Sequence, residues 1–166
     1  RVMKHLAEPV TFRDQICNLS ACIGIAFYDP IEQSSINIAM SAADIALNEA
    51  KQVGRGRCRV FEQSMRDSTI RMIEMAQEIR LGIDAGQFEP YFQPQINSMT
   101  GEIIGLEALI RWRHPKRGLV PAFEFLPAAE RAGLMGALDE VVMDRSCATI
   151  AEILSWGIGD ICVSIN

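Results

Sequence analysis

The sequence predicts an α/β protein divided between two units, and three observations carry that prediction. Apolar residues recur at every second position in some stretches and at every third or fourth in others, so strands and helices alternate along the chain. Residues 103–112 read IIGLEALIRW, apolar on both sides of a strand, as in strands covered on both faces. The order strand, helices, strand over residues 102–166 then predicts a right-handed crossover that makes those two strands parallel neighbours.

Residues 1–16 show no strong period and are assigned no element. Residues 17–28, CNLSACIGIAFY, alternate and are rich in β-branched and aromatic side chains, so a strand is expected to end at Asp29-Pro30. Ile36, Met40, Ala43, Leu47 and Ala50 recur at helical spacing, and Gly54 falls where a helix C-terminus favours glycine. Residues 57–61 read as a short strand. From Ser64 to about Ala85 the stripe Met65, Met72, Ile73, Ala76, Ile79 and Ile83 predicts an amphipathic helix, with Glu74, Glu78 and Arg80 off the stripe. Its polar start, SMRDSTIRMIEM, marks it as a connection between units. The expected division is residues 1–66, a linking helix over 67–85, and a second unit over 86–166.

In the second unit, residues 88–96 and 102–112 are expected to be strands joined by the turn Asn97-Ser98-Met99-Thr100-Gly101. A loop, HPKRGLVP, leads to a short helix over 122–132 that Pro127 should interrupt and Gly133 close. A longer helix over 137–156 and a strand over 160–166 follow, and no internal repeat is visible.

Net charge is −5 and the positive residues are scattered, which argues against general nucleic-acid binding. No stretch approaches the ~20 apolar residues of a membrane span and no signal peptide opens the chain, so this segment is expected to make no membrane contact. The chain starts without Met and stops inside an apolar strand, so both ends look cut. The five cysteines are odd in number and lack a C-x-x-C pair. They read as free, buried thiols in a reducing, cytoplasmic compartment rather than as disulfides or zinc ligands. His5 and His114 are isolated, and His114 before Pro115 reads as a turn residue.

Alternation over residues 103–112 puts Ile103, Gly105, Glu107, Leu109 and Arg111 on one face and Ala108, Ile110 and Trp112 on the other. Charge in a strand covered on both sides is costly unless it is paired, bound to metal or lining a site. Two readings therefore stay open: a buried Glu107–Arg111 pair, or a functional site. In the last strand Cys162, Ser164 and Asn166 share a face, and Glu107 on the neighbouring strand is a candidate partner for them. Carboxylate and amide oxygens are hard donors, suited to Mg²⁺ or Mn²⁺ rather than zinc. A polar pair that only holds strand register would use the same residues.

The blocks QPQ, GLEALIRWRHPKRGLVP, FLPAAERAGL and CVSIN, in that order from about residue 75 to residue 166, resemble the EAL domain family. These are phosphodiesterases that open the bacterial second messenger cyclic di-GMP to linear pGpG. The resemblance implies a variant TIM barrel with its site at the C-terminal face of the strands. It implies that Glu107 and Asn166 bind a catalytic Mg²⁺ or Mn²⁺, that Gln93 lies near a guanine, and that Leu109 and Arg111 contact the dinucleotide. An arginine suits a phosphate because its planar fork makes two charge-assisted bonds. The family's other ligands would lie beyond Asn166. About 100 residues stand here against the ~250 of a complete barrel, so the second unit is expected to be an incomplete TIM-barrel-like piece without turnover of its own.

Upstream, SACIGIA and SAADIALNEAKQVGRGRCRVFE are similar to the tail of GGDEF domains, which make cyclic di-GMP from two GTP molecules. The resemblance implies that the first unit is the C-terminal α+β part of such a domain and that Lys51 and Arg55 reach GTP phosphates. One helical turn apart, these two cations are expected to share a face where the helix ends; a basic helix end favourable to the dipole is the plainer reading. The family usually has an aromatic residue where this chain has Asn48.

Together the resemblances imply a cyclic di-GMP phosphodiesterase of the GGDEF–EAL tandem type, acting in bacterial signalling and forming a homodimer when whole. A receptor that binds cyclic di-GMP without cleaving it, and a bifunctional protein with diguanylate cyclase activity, are the alternatives. A third possibility is that the helix over 64–85 presents its stripe to a partner chain. A piece of barrel left open exposes sheet edges, so marginal stability and aggregation are expected of it alone.

Overall fold

In a computed structural model, residues 2–31, 35–157 and 162–165 are described. The chain divides into two compact units, Arg1–Arg71 and Met72–Asn166.

The first unit begins with a short helix α1 (Val2–Leu6) and a hairpin of β1 (Val10–Phe12) and β2 (Gln15–Cys17), which pairs Val10 with Cys17. Its turn residues Arg13 and Asp14 have φ of 48° and 62°. Two left-handed residues in a row match the right-handed twist of a hairpin, a geometry usually announced by Asn-Gly. Arg-Asp gives no such announcement, which is why residues 1–16 look featureless in sequence. Arg13 lays its guanidinium over the Phe12 ring, 5.3 Å from the centroid.

The strand expected over 17–28 is two separate strands. Cys17 ends β2, and β3 (Ile23–Ile25) pairs in parallel with β4 (Cys58–Val60) in another sheet. Alternation continues through both, but pairing partners, not alternation, decide where a strand stops.

Between β3 and β4 runs α2 (Ile36–Val53), its N-cap Ser35 accepting a hydrogen bond from the Asn37 amide at 3.2 Å. Its buried face is Ala39, Ala42, Ala46 and Ala50, while Ile36 and Met40 of the expected stripe are exposed. Gly24 gives the reason. A Cβ there would lie 2.1 Å from the Ala43 carbonyl oxygen and 2.3 Å from the Leu47 nitrogen. Helix and strand backbones meet at Ala43 and Leu47, and alanines make up the buried face of the helix. Gly24→Ala in the intact protein is therefore expected to destabilise this unit by about 1–3 kcal/mol, the usual cost of overpacking. Native-state hydrogen exchange of the α2 amides reads it, and unchanged protection there would refute the contact.

The second unit takes in most of α3 (Gln63–Asp84), then β5 (Phe88–Ile96) and β6 (Ile103–His114), which pair antiparallel. The segment expected to be loop forms β7 (Gly118–Pro121), a hairpin on β6 in which Trp112 faces Val120. His114 closes the tight turn that the sequence suggests. Its Nδ1 accepts the amides of Lys116 at 3.1 Å and Arg117 at 3.2 Å. That leaves the ring proton on Nε2, 3.6 Å from Glu78.

Helices α4 (Ala122–Arg131) and α5 (Met135–Ser155) lead to β8 (Cys162–Ile165), parallel to β6 as the crossover predicts. β6 carries β5 along one edge; the other is shared between β8 at its start and β7 at its end. Pro127 does not interrupt α4. Its ring is on the exposed side, while Phe125, Ala128 and Ala129 are buried beneath it, so packing carries the helix across one missing hydrogen bond.

The core lies between one sheet face and the helices. Trp112 is fully buried, with ring centroids 5.0 Å from Phe88, 5.7 Å from Phe125 and 4.7 Å from His114. Its indole N–H donates to Gln87 Oε1 at 3.0 Å. Met72, Met75, Ile79 and Ile83 of α3 pack into this cluster, and Gly82 is buried against it. A Cβ on Gly82 would come within 2.9 Å of both Phe88 and Trp112. Met72, Ile79 and Ile83 of the expected stripe thus pack inside the second unit, while Ile73 falls outside the cluster, 56% exposed.

One further expectation is corrected. The cysteines are free but none is buried: Cys17 and Cys22 are half-buried, and Cys58, Cys147 and Cys162 exposed. Among the described residues the helices cover one face of β6, where Ala108, Ile110, Trp112 and His114 are buried, while Glu107, Leu109 and Arg111 on the other face are half-buried. Among the described residues the four strands of this unit form one open sheet rather than a closed barrel. No helix there is long and apolar enough to cross a membrane.

Candidate functional site

The sheet face opposite the helices carries the polar residues. Direct register sets Gln93 of β5 opposite Glu107 of β6, and Glu107 opposite Ser164 of β8. Residues directly opposite share a face, so three oxygen-bearing side chains form a row across three strands. Glu107 is half-buried, and Gln93 and Ser164 exposed. Helices cover the other face, where Val163 and Ile165 join the core cluster.

Leu109 and Arg111 continue the row's face along β6, Leu109 opposite Tyr91 and Arg111 between Glu89 and Pro121. The ion-pair alternative for Glu107 and Arg111 does not form: among the described residues neither joins a salt bridge. Glu89 pairs instead with Arg113, which also donates to the Tyr91 hydroxyl at 3.3 Å. Arg111 donates from Nη1 to the neighbouring Ile110 carbonyl at 2.9 Å, and the rest of its fork has no recorded partner among the described residues.

Asn166, two positions beyond Ser164, lies outside the described residues. One polar contact that sequence reasoning passed over joins this face. Gln95, in the same QPQ block as Gln93, reaches Ser164. The pointer to it was Gly105, which leaves β6 without a side chain opposite Gln95.

Oxygen donors of this kind fit a hard divalent cation in type. In number they fall short. No group of three or more His, Cys, Asp or Glu side chains gathers among the described residues, where Glu107 is the row's single carboxylate.

In the first unit, Lys51 sits in the last turn of α2 and Arg55 beyond its end, both exposed. Gly54 stops the helix at φ 129°, a conformation that favours glycine, so the two cations do not share a helical face as spacing suggested.

A family model described as "EAL domain" matches residues 76–166, and one described as "Diguanylate cyclase, GGDEF domain" matches residues 1–57. An uncharacterized signaling protein of Caulobacter vibrioides is 37% identical over 151 residues, 91% of this chain and 18% of that protein. The bifunctional diguanylate cyclase/cyclic di-GMP phosphodiesterase MucR of Pseudomonas aeruginosa is 32% identical over 166 residues, all of this chain and 24% of that protein. The chain thus spans about a fifth to a quarter of the length of these relatives. A solved PaMucR phosphodiesterase in complex with c-di-GMP matches at TM-score 0.53 and 33% identity, over 56% of this chain and 38% of that one. The second unit is accordingly an incomplete TIM-barrel-like piece. A polar row on an open sheet, the ordered sequence blocks and both family matches lead to one conclusion: the chain belongs to the EAL domain family, with a GGDEF segment ahead of its EAL segment.

Proposed function

We propose that the intact protein carrying this segment hydrolyses cyclic di-GMP to linear pGpG, with Glu107 as a metal-holding carboxylate. The observation that carries the reading is a half-buried Glu107 without an ion-pair partner among the described residues, set mid-strand in a row of oxygen donors on the sheet face opposite the helices. A carboxylate kept there without a counter-charge is poorly explained by packing alone. The EAL family match and the activity in the name of MucR support the same reading.

EAL phosphodiesterases in general depend on a divalent metal. Mg²⁺ or Mn²⁺ would activate water and neutralise charge on the phosphoryl oxygens. Glu107 would hold it together with Asn166 and with donors from elsewhere in the intact protein. Gln93 offers both a donor and an acceptor to a guanine edge, and Leu109 an apolar surface to the dinucleotide. Arg111 brings a guanidinium that is only partly engaged, able to clamp a phosphate and keep its charge from repelling the attacking oxygen. Water then adds across one phosphate ester, and the ribose oxygen leaves with the proton. In the first unit Lys51 and Arg55, exposed on either side of Gly54, are proposed contacts for GTP phosphates. A homodimer in the cytoplasm, free of nucleic acid, completes the proposal.

Incubating the intact protein with cyclic di-GMP and Mn²⁺ should yield pGpG, resolved by chromatography. Chelation of the metal by EDTA should lower the rate by at least about 100-fold, and added Mn²⁺ should restore it, as expected where bound metal generates the nucleophile. Binding of cyclic di-GMP without pGpG would overturn the reading in favour of a receptor. Hydrolysis indifferent to EDTA would overturn the role of Glu107.

A further inference from the structure

We infer that Gln95, Gly105 and Ser164 form a strap across three strands that fixes the backbone at Glu107, which makes Gln95 and Ser164 positioning residues of the proposed metal centre. The inference rests on reading Glu107 as the metal-holding carboxylate. Gln95 of β5 lies opposite Gly105 of β6, and Gly105 opposite Cys162 of β8. A Cβ on Gly105 would stand 3.1 Å from Gln95 Oε1 and 3.0 Å from the Cys162 carbonyl oxygen. The glycine thus leaves the space through which the Gln95 side chain passes over β6. On the far side Gln95 Nε2 donates to Ser164 Oγ at 3.4 Å, and Ser164 Oγ donates to the Leu106 carbonyl oxygen at 3.3 Å. One hydroxyl accepts from one strand and donates to another, using both of its capacities.

The position of that carbonyl gives the strap its consequence. Leu106 O belongs to the peptide unit whose nitrogen is that of Glu107, and Ser164 is the register partner of Glu107. β8 is short, with Cys162–Ile165 as its paired residues. A slip of one residue would turn its polar residues to the helix-covered face. Side-chain bonds that cross β6 at Gly105 oppose that slip and hold the Leu106–Glu107 peptide from the β8 side. Outer groups that orient a metal ligand in this way typically change metal affinity or activity 10–100-fold when removed.

The test uses the intact protein, stripped of metal and titrated with Mn²⁺ by calorimetry, beside the Mn²⁺ concentration that gives half-maximal hydrolysis. Gln95→Ala and Ser164→Ala should each weaken Mn²⁺ binding about 10-fold. Ser164→Thr, which keeps the hydroxyl, should bind within about twofold of wild type. At saturating Mn²⁺ the KM for cyclic di-GMP should stay within about twofold, because the strap acts through Glu107 and not on substrate. Glu107→Gln, run in parallel, should lose most of its Mn²⁺ binding. If Gln95→Ala and Ser164→Ala bind Mn²⁺ as tightly as wild type while Glu107→Gln does not, the strap is overturned and the site stands. If Glu107→Gln binds like wild type, the reading beneath it falls. Equal weakening by Ser164→Thr and Ser164→Ala would also overturn the hydroxyl link. Gln95 is exposed, so its alanine variant carries the test even if Ser164→Ala fails to fold.

Discussion

Glu107→Gln in the intact protein is expected to cut kcat for cyclic di-GMP hydrolysis by at least about 10³-fold, a loss near 4 kcal/mol at 1.36 kcal/mol per decade. The substitution keeps the shape of the side chain and one oxygen but removes the negative charge that a hard cation needs. Stability should respond differently. Glu107 is half-buried and joins no salt bridge among the described residues, so losing its charge leaves no orphaned counter-ion. The melting temperature should therefore stay within about 2 °C of wild type, a change of no more than about 1 kcal/mol. Production of pGpG at the wild-type rate would remove Glu107 from the site. A large fall in melting temperature would show a structural part for the carboxylate that the geometry does not show.

Trp112→Ala is the complementary case, with its largest effect on stability. Trp112 is fully buried among Phe88, Phe125 and His114, and its indole satisfies the side-chain oxygen of Gln87. Removing it leaves a cavity in the layer between β6 and the helices, at a cost of about 3–5 kcal/mol. In the intact protein the urea midpoint of the EAL-domain transition, followed by circular dichroism, should fall by roughly 1–2.5 M for a slope of about 2–3 kcal/mol per M. Trp112→Phe keeps a stacking ring and should lose less than half as much. A midpoint unmoved by Trp112→Ala would mean that this cluster does not hold the unit together. Trp112 and Glu107 lie on opposite faces of one strand, so the pair of experiments separates the face that holds the fold from the face proposed to do the chemistry.

Much of the second unit was legible because its periods are strong. The strand over 88–96 and the parallel pairing of the strands around the crossover follow from alternation and the handedness of crossovers, and both are present. Glu107 and Arg111 stand out in the sequence because charge inside an apolar strand is costly unless it is paired or lines a site. Where local pattern failed, a neighbour had decided. Residues 17–28 alternate throughout, yet β2 and β3 take partners in different sheets. Of the helical stripe Ile36, Met40, Ala43, Leu47 and Ala50, the first two are exposed and Ala50 is buried, because the backbone approach at Gly24 sets the buried face on Ala39, Ala42, Ala46 and Ala50. Pro127 should break a helix by its chemistry, and buried Phe125, Ala128 and Ala129 hold the helix through it.

By itself the sequence determined the class of fold, the order of its main elements, the family blocks and the short list of residues able to bear chemistry. These depend on side-chain period and residue type, which are local properties of the chain. Only the tertiary structure decided which face of β6 the helices cover and that no ion pair joins Glu107 to Arg111. It also brought Gln93, Glu107 and Ser164 into one row and ended α2 between Lys51 and Arg55. Those outcomes rest on register and on which surfaces the helices cover, and both are set by contacts between residues far apart in the chain.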